Sequence, residues 1–356
     1  MLDWKNRAGE PRGNADDSLD SVRSYFGGGW VGKTLGTLLG LYLLGAMLVG
    51  WYWSQEPGLF PVQQRAQAAA EQAQRKLVSG YTTVETLKQV SETLLNKPGG
   101  YLSNDIAPPG LWLDNMPSWE YGVLVQVRDL SRALRKDFAR SQSQSTEDPD
   151  LAKAEPRFNF DNKSWALPAS ESEYAEGIKS LDRYLANLSN PTQQRTQFYA
   201  RADNLNNWLG DVATRLGSLS QRLSASVGRV RLNTDAEPNQ PVPTGEVVAV
   251  REEEVKTPWL QIDNVFYEAR GQAWALSHIL RAIEVDFADV LAKKNATVSV
   301  RQIIRELEAA QETLWSPMVL NGSGYGVLAN HSLVMANYIS RANAAIIDLR
   351  TLLSQG

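Results

Sequence analysis

The feature that most constrains this chain is an uncharged apolar segment near its N-terminus, TLGTLLGLYLLGAMLVGWYW at residues 34–53. A helix rising about 1.5 Å per residue would carry a segment of this length across the roughly 30 Å hydrocarbon core of a bilayer. The segment therefore predicts a transmembrane helix, in contact with the lipid bilayer. We expect interfacial anchors at both edges of the segment. They are the aromatic residues Trp51, Tyr52 and Trp53 at one edge, and Trp30 with Lys33 at the other.

The stretch before it, GGGWVGKT at Gly27–Thr34, matches the letter pattern of a nucleotide phosphate-binding loop. A working loop follows a buried strand and opens a soluble helix, whose N-terminal amide groups bind the phosphates. Here the upstream residues NADDSLDSVRSYF are too polar for a buried strand, and the downstream segment is apolar. We therefore interpret the match as coincidence and expect no nucleotide binding.

The apolar segment is expected to remain in the chain, since a cleaved signal peptide has a shorter apolar core and small residues at its cleavage site. Arg23 and Lys33 precede the segment closely, whereas only Arg65 follows it closely. This excess of positive charge favours a cytoplasmic tail at 1–33 and a large periplasmic domain in the inner membrane of a bacterium. The absence of cysteine agrees with an oxidising compartment.

Three glycines lie four residues apart around the start of the segment, at Gly32, Gly36 and Gly40. Small residues at this spacing let two membrane helices approach closely, so they are candidates for helix packing and self-association. The alternative is that glycine is simply frequent in membrane helices.

Helical periodicity dominates the remainder of the chain, after a short linker at 54–61. Apolar residues recur in steps of three and four through 258–291, 198–223 and 335–353. Helices with such seams pack side by side at shallow angles. The sequence predicts an all-α fold, in which an N-terminal transmembrane helix is followed by a long-helix bundle.

Individual helix limits follow from local signals. The alanine-rich stretch 62–80 predicts a helix that ends at Gly80. Thr82 and Glu85 have the spacing of a capping box, which predicts the start of the next helix.

A proline-rich, acidic stretch at 234–257 is expected to be an exposed loop between two helical halves, 62–233 and 258–356. Its run EVVAV at 246–250 is the only strand-like pattern in the sequence.

A faint repeat leaves open that the two halves are related by duplication. RALRKDFA at 132–139 resembles RAIEVDFA at 281–288, each late in a long helix. One interpretation is a shared surface at Asp137 and Asp286. The other is that the phenylalanine after each aspartate is a core residue.

Two loops rich in Pro, Gly and aromatic residues, 96–122 and 315–332, are candidates for a binding surface. Aromatic faces beside carboxylates and amides suit a sugar or a peptide, provided that both loops lie at one end of the bundle. The alternative is that the loops only cover the bundle end. The candidate residues are Tyr101, Asn104, Asp105, Trp112, Asp114, Trp119, Asn321 and Tyr325.

Catalytic and metal-binding patterns are weak in this sequence. The two histidines, His278 and His331, lack acidic partners at helical spacing, and no G-x-S-x-G motif is present. We expect His331 to be a partly buried structural residue, and His278 to be exposed or at a helix contact. The sequence therefore predicts no enzyme activity, cofactor or metal, and its net charge of −4 predicts no nucleic-acid partner.

The opening MLDWKNRAG and the stretch RSYFGGGW resemble a family of uncharacterised proteobacterial single-pass inner-membrane proteins, defined as a domain of unknown function. The resemblance extends over nearly the whole chain. It implies a bacterial inner-membrane protein with one anchor, and it brings no activity or site residues.

Three functions remain open. The first is a membrane-anchored, non-enzymatic envelope scaffold or accessory subunit, which binds itself or other envelope proteins through its periplasmic helices. The second is a periplasmic ligand-binding, sensor-like bundle, which needs a signalling partner because the tail at 1–33 is too short for an output domain. The third is a hydrolase that acts on peptidoglycan.

Overall fold

The computed structural model describes residues 30–140, 146–192, 195–232, 252–314, 318–322 and 329–355. Within these ranges the chain forms eleven helices and one two-stranded antiparallel ribbon. The chain divides into two compact units, one ending at Tyr52 and the other beginning at Trp53. The all-α fold and the N-terminal apolar helix expected from the sequence are confirmed.

The helices are α1 (Trp30–Trp53), α2 (Val62–Gln72), α3 (Tyr81–Asn96), α4 (Asn115–Ala133), α5 (Leu151–Phe158), α6 (Ser170–Leu188), α7 (Ala202–Ser224), α8 (Ile262–Asp286), α9 (Ala288–Lys293), α10 (Thr297–Ala309) and α11 (His331–Ser354). A π-helical turn at Leu134–Phe138 extends α4, and a 3-10 turn at Trp259–Gln261 precedes α8. The strands are β1 (Arg229–Leu232) and β2 (Glu252–Val255).

Helix α1 contains a stretch, Gly32–Trp53, that is long and apolar enough to cross a membrane, with a mean hydropathy of 1.6. A signal sequence near an N-terminus can also meet these criteria of length and hydropathy. Most side chains along this helix are exposed. The glycines Gly27–Gly29 and most of the tail at 1–33 lie outside the described residues.

Helices α4 and α8 lie side by side and parallel at the centre of the second unit. Their backbones touch, because a Cβ atom built on Gly122 would lie 2.1 Å from the Glu268 carbonyl oxygen. A Cβ atom built on Gly271 would likewise lie 2.0 Å from the Trp119 carbonyl oxygen. Only glycine permits so close an approach from both sides.

The sequence repeat lies where these two helices end. Phe138 and Phe287 are fully buried and their ring centroids are 5.4 Å apart, which confirms that they are core residues. Gly271 follows Gly122 by the same number of residues as Phe287 follows Phe138, so the two segments contact each other at equivalent positions.

The helices on either side of 234–257 pack into one unit and not into two separate bundles. Helix α4 packs against α8, and α7 packs against α11. The order of packing is nonetheless similar on the two sides, since α4 contacts α5 and α5 contacts α6, just as α8 contacts α10 and α10 contacts α11. The acidic stretch therefore interrupts the chain without dividing the core.

Two expected helix limits are wrong. The helix that begins at Val62 ends at Gln72, because Gln74 adopts a left-handed conformation with φ of 51°. The expected capping box is absent, since Glu85 accepts a hydrogen bond from Gln89 and not from the helix start.

A carboxylate from a distant helix caps α3 instead. Asp286, at the end of α8, accepts hydrogen bonds from the Thr83 backbone N–H at 2.6 Å and the Thr83 hydroxyl at 2.7 Å. The N-terminus of a helix favours such a negative charge. Burial nevertheless raises the pKa of Asp286. This contact gives the aspartate of the second repeat a structural role.

The ribbon was not expected from the sequence, which placed its first strand in a helical half and its second in the acidic loop. Arg229 pairs with Val255 and Arg231 pairs with Glu253. Each strand is only four residues long, and the two strands flank the proline-rich stretch, so no long alternating pattern marks them in the sequence. The strand-like run at 246–250 lies outside the described residues.

Candidate functional site

The linker at 54–61 lies extended along α8 and is held by three side chains of that helix. The three side chains recur every fourth residue of α8, and their partners recur every second residue of the linker. Four residues of a helix advance about 6 Å, and two residues of an extended chain advance nearly 7 Å, so the two spacings match. The pairs are Arg270 with Glu56, Trp274 with Gly58, and His278 with Phe60. We call this arrangement the linker clamp.

The first contact of the linker clamp is an ion pair between the buried Arg270 and the half-buried Glu56. The Arg270 guanidinium donates to both carboxylate oxygens of Glu56, at distances of 2.6 to 2.8 Å. Its remaining nitrogen donates to the carbonyl oxygens of Ala310 and Glu312, at 3.1 and 3.0 Å. Bidentate, charge-assisted pairs of this kind fix geometry as well as adding stability. Arg270 therefore joins the linker to the segment that follows α10.

The last contact is made by a neutral histidine. His278 Nε2 accepts a hydrogen bond from the Phe60 backbone N–H at 3.0 Å, so the proton resides on Nδ1, which donates to the Trp274 carbonyl oxygen at 2.7 Å. The Phe60 ring stacks on the imidazole with centroids 3.9 Å apart. Burial lowers the pKa of His278 to about 4. The sequence placed His278 at the surface or at a helix contact, and the structure buries it against the linker.

The first candidate loop, within 96–122, is fixed by a buried ion pair. The Lys97 ammonium lies 2.6 Å from the Glu120 carboxylate, and neither side chain is exposed. Glu120 also accepts hydrogen bonds from the backbone N–H groups of Leu102 and Ser103, both at 2.9 Å. Burial raises the pKa of Glu120. The loop is thus tied to α4 by a carboxylate whose hydrogen-bonding capacity is used internally.

Three of the candidate binding residues in this loop are core residues. The buried Tyr101 donates its hydroxyl proton to the Asn162 carbonyl oxygen at 3.0 Å. The buried Asn104 amide donates to Glu171 at 2.7 Å. Trp119 is fully buried, with its ring 5.2 Å from that of a second tryptophan in α8. These side chains hold the loop in place and are not open to a ligand.

The other candidates are more accessible. Trp112 and Asp114 are exposed, whereas Asp105 is half-buried and its pKa is raised, mainly by burial. Asn321 is half-buried and donates to the Ser226 carbonyl oxygen at 2.9 Å. Tyr325 lies outside the described residues.

The described parts of both loops lie toward the N-terminal end of α8. Asp114, which precedes α4, is close enough to Asp263 in the first turn of α8 to raise its pKa, an effect secondary to burial. The His331 ring, at the start of α11, lies 6.2 Å from that of Phe266 in α8. His331 is half-buried and accepts a hydrogen bond from the Leu320 backbone N–H, in agreement with a structural role.

Large apolar side chains are exposed at this end of the unit. Trp259 is 81% exposed and Leu260 is 75% exposed, immediately before α8. Residues before α4 add further apolar surface. We define the end patch as Ile106, Leu111, Trp112, Trp259 and Leu260, all of which are exposed.

The residues expected at the membrane boundary occupy both units. Trp30, Lys33, Trp51 and Tyr52 are exposed on α1. Trp53 is half-buried in the second unit, where a Cβ atom built on Gly99 would lie 2.7 Å from its ring.

Two of the three glycines of the proposed helix-packing face have open space beside them. Nothing lies within 4 Å of a Cβ atom built on Gly36 or Gly40, and both are exposed. Gly32 belongs to the same helix.

An open cleft of about 370 Å³ lies between α5 and α6. It is lined by charged side chains, and two of these, Arg157 and Glu173, form an ion pair with each other. Within the described ranges, no group of three or more His, Asp or Glu side chains is arranged to hold a metal ion.

Comparison with protein families gives one match, which covers residues 26–356. Its family is described as "uncharacterized protein conserved in bacteria (DUF2333)". The chain belongs to this family. The match confirms the resemblance to an uncharacterised bacterial family, and DUF2333 assigns no activity or site residues. No curated protein matches the chain, and no solved structure does.

Proposed function

We propose that this member of DUF2333 is a membrane-anchored, non-enzymatic scaffold or accessory subunit of the bacterial envelope. In this proposal α1 spans the inner membrane, the N-terminus is cytoplasmic and the second unit is periplasmic. The linker clamp carries the proposal, because three side chains of the central helix are used to hold the eight residues that follow the apolar helix. A freely moving tether would need none of these contacts.

The linker clamp supports a scaffold through its position. It fixes the path of the chain against α8, which itself packs against α4 and α10. A force that acts on the linker is therefore transmitted to the core of the second unit and not to a surface loop. Such a connection suits a protein that presents partner-binding surfaces at a constant place.

Several buried ionisable groups have structural partners, and this supports a non-enzymatic function. Glu120 is paired with Lys97, Asp286 caps α3, and His278 holds the linker. Catalytic acids and bases need a free position toward a substrate. In these three cases the polar atoms are used within the fold.

Self-association through α1 is part of the proposal. The open face at Gly36 and Gly40 would let a second α1 helix approach closely. Replacing both glycines by isoleucine is expected to reduce association in a membrane two-hybrid assay, whereas Leu38→Ile with Leu41→Ile serves as a matched control. Equal association of both variants would contradict the glycine face.

Anchoring and topology are tested first, because the other statements depend on them. The full chain should remain in bacterial membranes after a carbonate wash. A C-terminal alkaline phosphatase fusion should be active and the corresponding green fluorescent protein fusion dark. Release by carbonate would contradict the anchor, and the opposite fusion pattern would place the second unit in the cytoplasm.

The scaffold itself is tested with a clamp variant, Arg270→Ala with His278→Ala. Hydrogen exchange at the Phe60 amide should become much faster, because the acceptor of its hydrogen bond is gone. Arg281→Ala is the matched control, since Arg281 is also an arginine of α8 but pairs with Glu308 on α10. Unchanged Phe60 exchange in the clamp variant would contradict the linker clamp.

The same variants separate a scaffold from the alternatives. Proteins that co-purify with the wild-type chain from solubilised membranes should be lost with the clamp variant and retained with Arg281→Ala. A purified chain that clears peptidoglycan in a gel would support the hydrolase instead. A chain that is stabilised by a small envelope metabolite, with no co-purifying protein, would support the sensor-like bundle.

A further inference from the structure

The end patch is an unusual surface for the water-facing side of a bundle. It contains two tryptophans and three large aliphatic residues. They belong to the two segments that precede α4 and α8, and these segments end close together because Asp114 and Asp263 interact. Single exposed apolar residues are common, but a group of this size at one place marks a contact surface. Tryptophan with leucine is also typical of surfaces that enter the headgroup region of a bilayer.

The path of the linker indicates what covers this surface. The linker runs from Glu56 to Phe60 in the same direction as α8 runs from Arg270 to His278. The preceding residue Trp53, where the chain enters the second unit, therefore lies further toward the N-terminal end of α8. Three extended residues reach up to about 10 Å, which is comparable with the roughly 12 Å rise of α8 between its first residue, Ile262, and Arg270.

A second contact agrees with this placement. The Trp53 ring packs on Gly99, in the loop that Glu120 ties to the start of α4. The chain therefore enters the second unit at the same end as the end patch.

We propose that the end patch is a membrane-contacting surface, which inserts its tryptophan and leucine side chains into the headgroup region of the bilayer that holds α1. This inference rests on the proposed anchoring of α1. The contact adds a second attachment to the anchor and holds the second unit against the lipid surface. Partner proteins would then meet the sides and the far end of the bundle.

The charges near the end patch specify the kind of lipid surface. Asp105, Asp114 and Asp263 lie at the same end and outnumber the exposed Lys256, which precedes the turn before α8, whereas Lys97 is buried in its ion pair. Acidic side chains give no attraction to anionic lipids, so the contact depends on apolar insertion. Binding should therefore need no anionic lipid.

The absence of cysteine makes the test direct, because a single introduced cysteine is the only labelling site. The full chain is reconstituted in phosphatidylcholine nanodiscs, with an environment-sensitive fluorophore on Leu260→Cys. The matched control is Val298→Cys, because Val298 is 77% exposed and lies in α10, which begins beyond the opposite end of α8. Trp112→Cys examines the second segment of the patch.

Labels at Leu260→Cys and Trp112→Cys should be quenched by spin-labelled lipid and be several-fold less accessible to aqueous iodide than the label at Val298→Cys. The result should be the same with and without phosphatidylglycerol. Equal iodide accessibility at the two ends of the bundle would overturn the inference.

Two further outcomes are distinguishable. Protection that is present in discs with two copies and absent from discs with one copy would show that the patch binds another copy, and would overturn the membrane contact. If the chain leaves bacterial membranes in carbonate, the proposed anchor fails, and the inference fails with it. If the chain stays while Leu260→Cys is as accessible as Val298→Cys, only the end-patch contact fails.

Discussion

The crossing of α4 and α8 predicts that one added methyl group destabilises the second unit. In Gly122→Ala the new carbon would lie 2.1 Å from the Glu268 carbonyl oxygen, whereas such atoms pack no closer than about 3.3 Å. The obstacle is backbone, so no side-chain rotation relieves it and the helices must separate by about 1 Å. Overpacking of this kind costs about 3 kcal/mol, partly offset by the better helix propensity of alanine.

The expected net loss in Gly122→Ala is therefore about 2 kcal/mol in the free energy of unfolding. With a urea dependence of about 3 kcal/mol per molar, the unfolding midpoint should fall by somewhat less than 1 M. The assay is urea unfolding of the full chain in detergent micelles, followed by circular dichroism. Gly271→Ala, at the equivalent position of the other segment, should behave alike.

A matched control uses the same substitution where space is available. A Cβ atom built on Gly217, inside α7, would lie 3.5 Å from the Asn343 side-chain nitrogen. Gly217→Ala should therefore raise stability, by about 0.5 to 1 kcal/mol. A urea midpoint of Gly122→Ala that equals or exceeds that of the wild type would refute the close crossing of α4 and α8.

Three other predictions concern charged and titratable groups. Between the unfolded pKa of 6.5 and the folded pKa of about 4, His278 is protonated only in the unfolded state. The free energy of unfolding therefore falls as pH falls through this range, by about 3 kcal/mol in total. His278→Gln should remove this part of the pH dependence of the urea midpoint. Glu120→Gln leaves the buried Lys97 ammonium without a counter-charge and should cost about 3 to 5 kcal/mol in the same assay. The hydrogen-bonded charge of Arg75 lowers the pKa of Asp182 to about 2, so Asp182→Asn should lower the midpoint at neutral pH and have progressively less effect as pH falls toward 2.

Long apolar patterns in the sequence predict the coarse fold well. The uncharged segment at 34–53 corresponds to the apolar part of α1, and the seam through 258–291 corresponds to α8 and α9. These features are predictable because helix periodicity is local and each seam is long enough to stand out.

The role of His278 was not predictable from that seam. A seam describes one buried face, whereas α8 is the central helix and is contacted on all sides. The sequence does contain a signal, because GQAWALSHIL at 271–280 has no charged residue and so no solvent-facing side. A helix that is apolar all round predicts burial of its polar residues too, including His278.

The candidate binding loop illustrates a second limit. Tyr101 and Trp119 have the composition of a ligand surface, yet each is buried by a segment that is remote in sequence. Whether an aromatic side chain in a proline-rich loop faces solvent depends on which helix covers it, and composition does not contain that information. The periodic pattern through 258–291 likewise predicts that Trp259, near its start, is buried, whereas Trp259 is exposed in the turn before α8.

Two of the three contacts of the linker clamp are made to backbone atoms, the Gly58 carbonyl oxygen and the Phe60 N–H. Every residue except proline carries both groups, so one residue inserted after Glu56 would still leave a carbonyl oxygen for Trp274 and an N–H for His278. The same insertion would bring a leucine to the imidazole in place of Phe60 and remove the ring stacking. The register of the linker is therefore set by the side chains at its two ends, Glu56 and Phe60, and the residues between them contribute only their backbone.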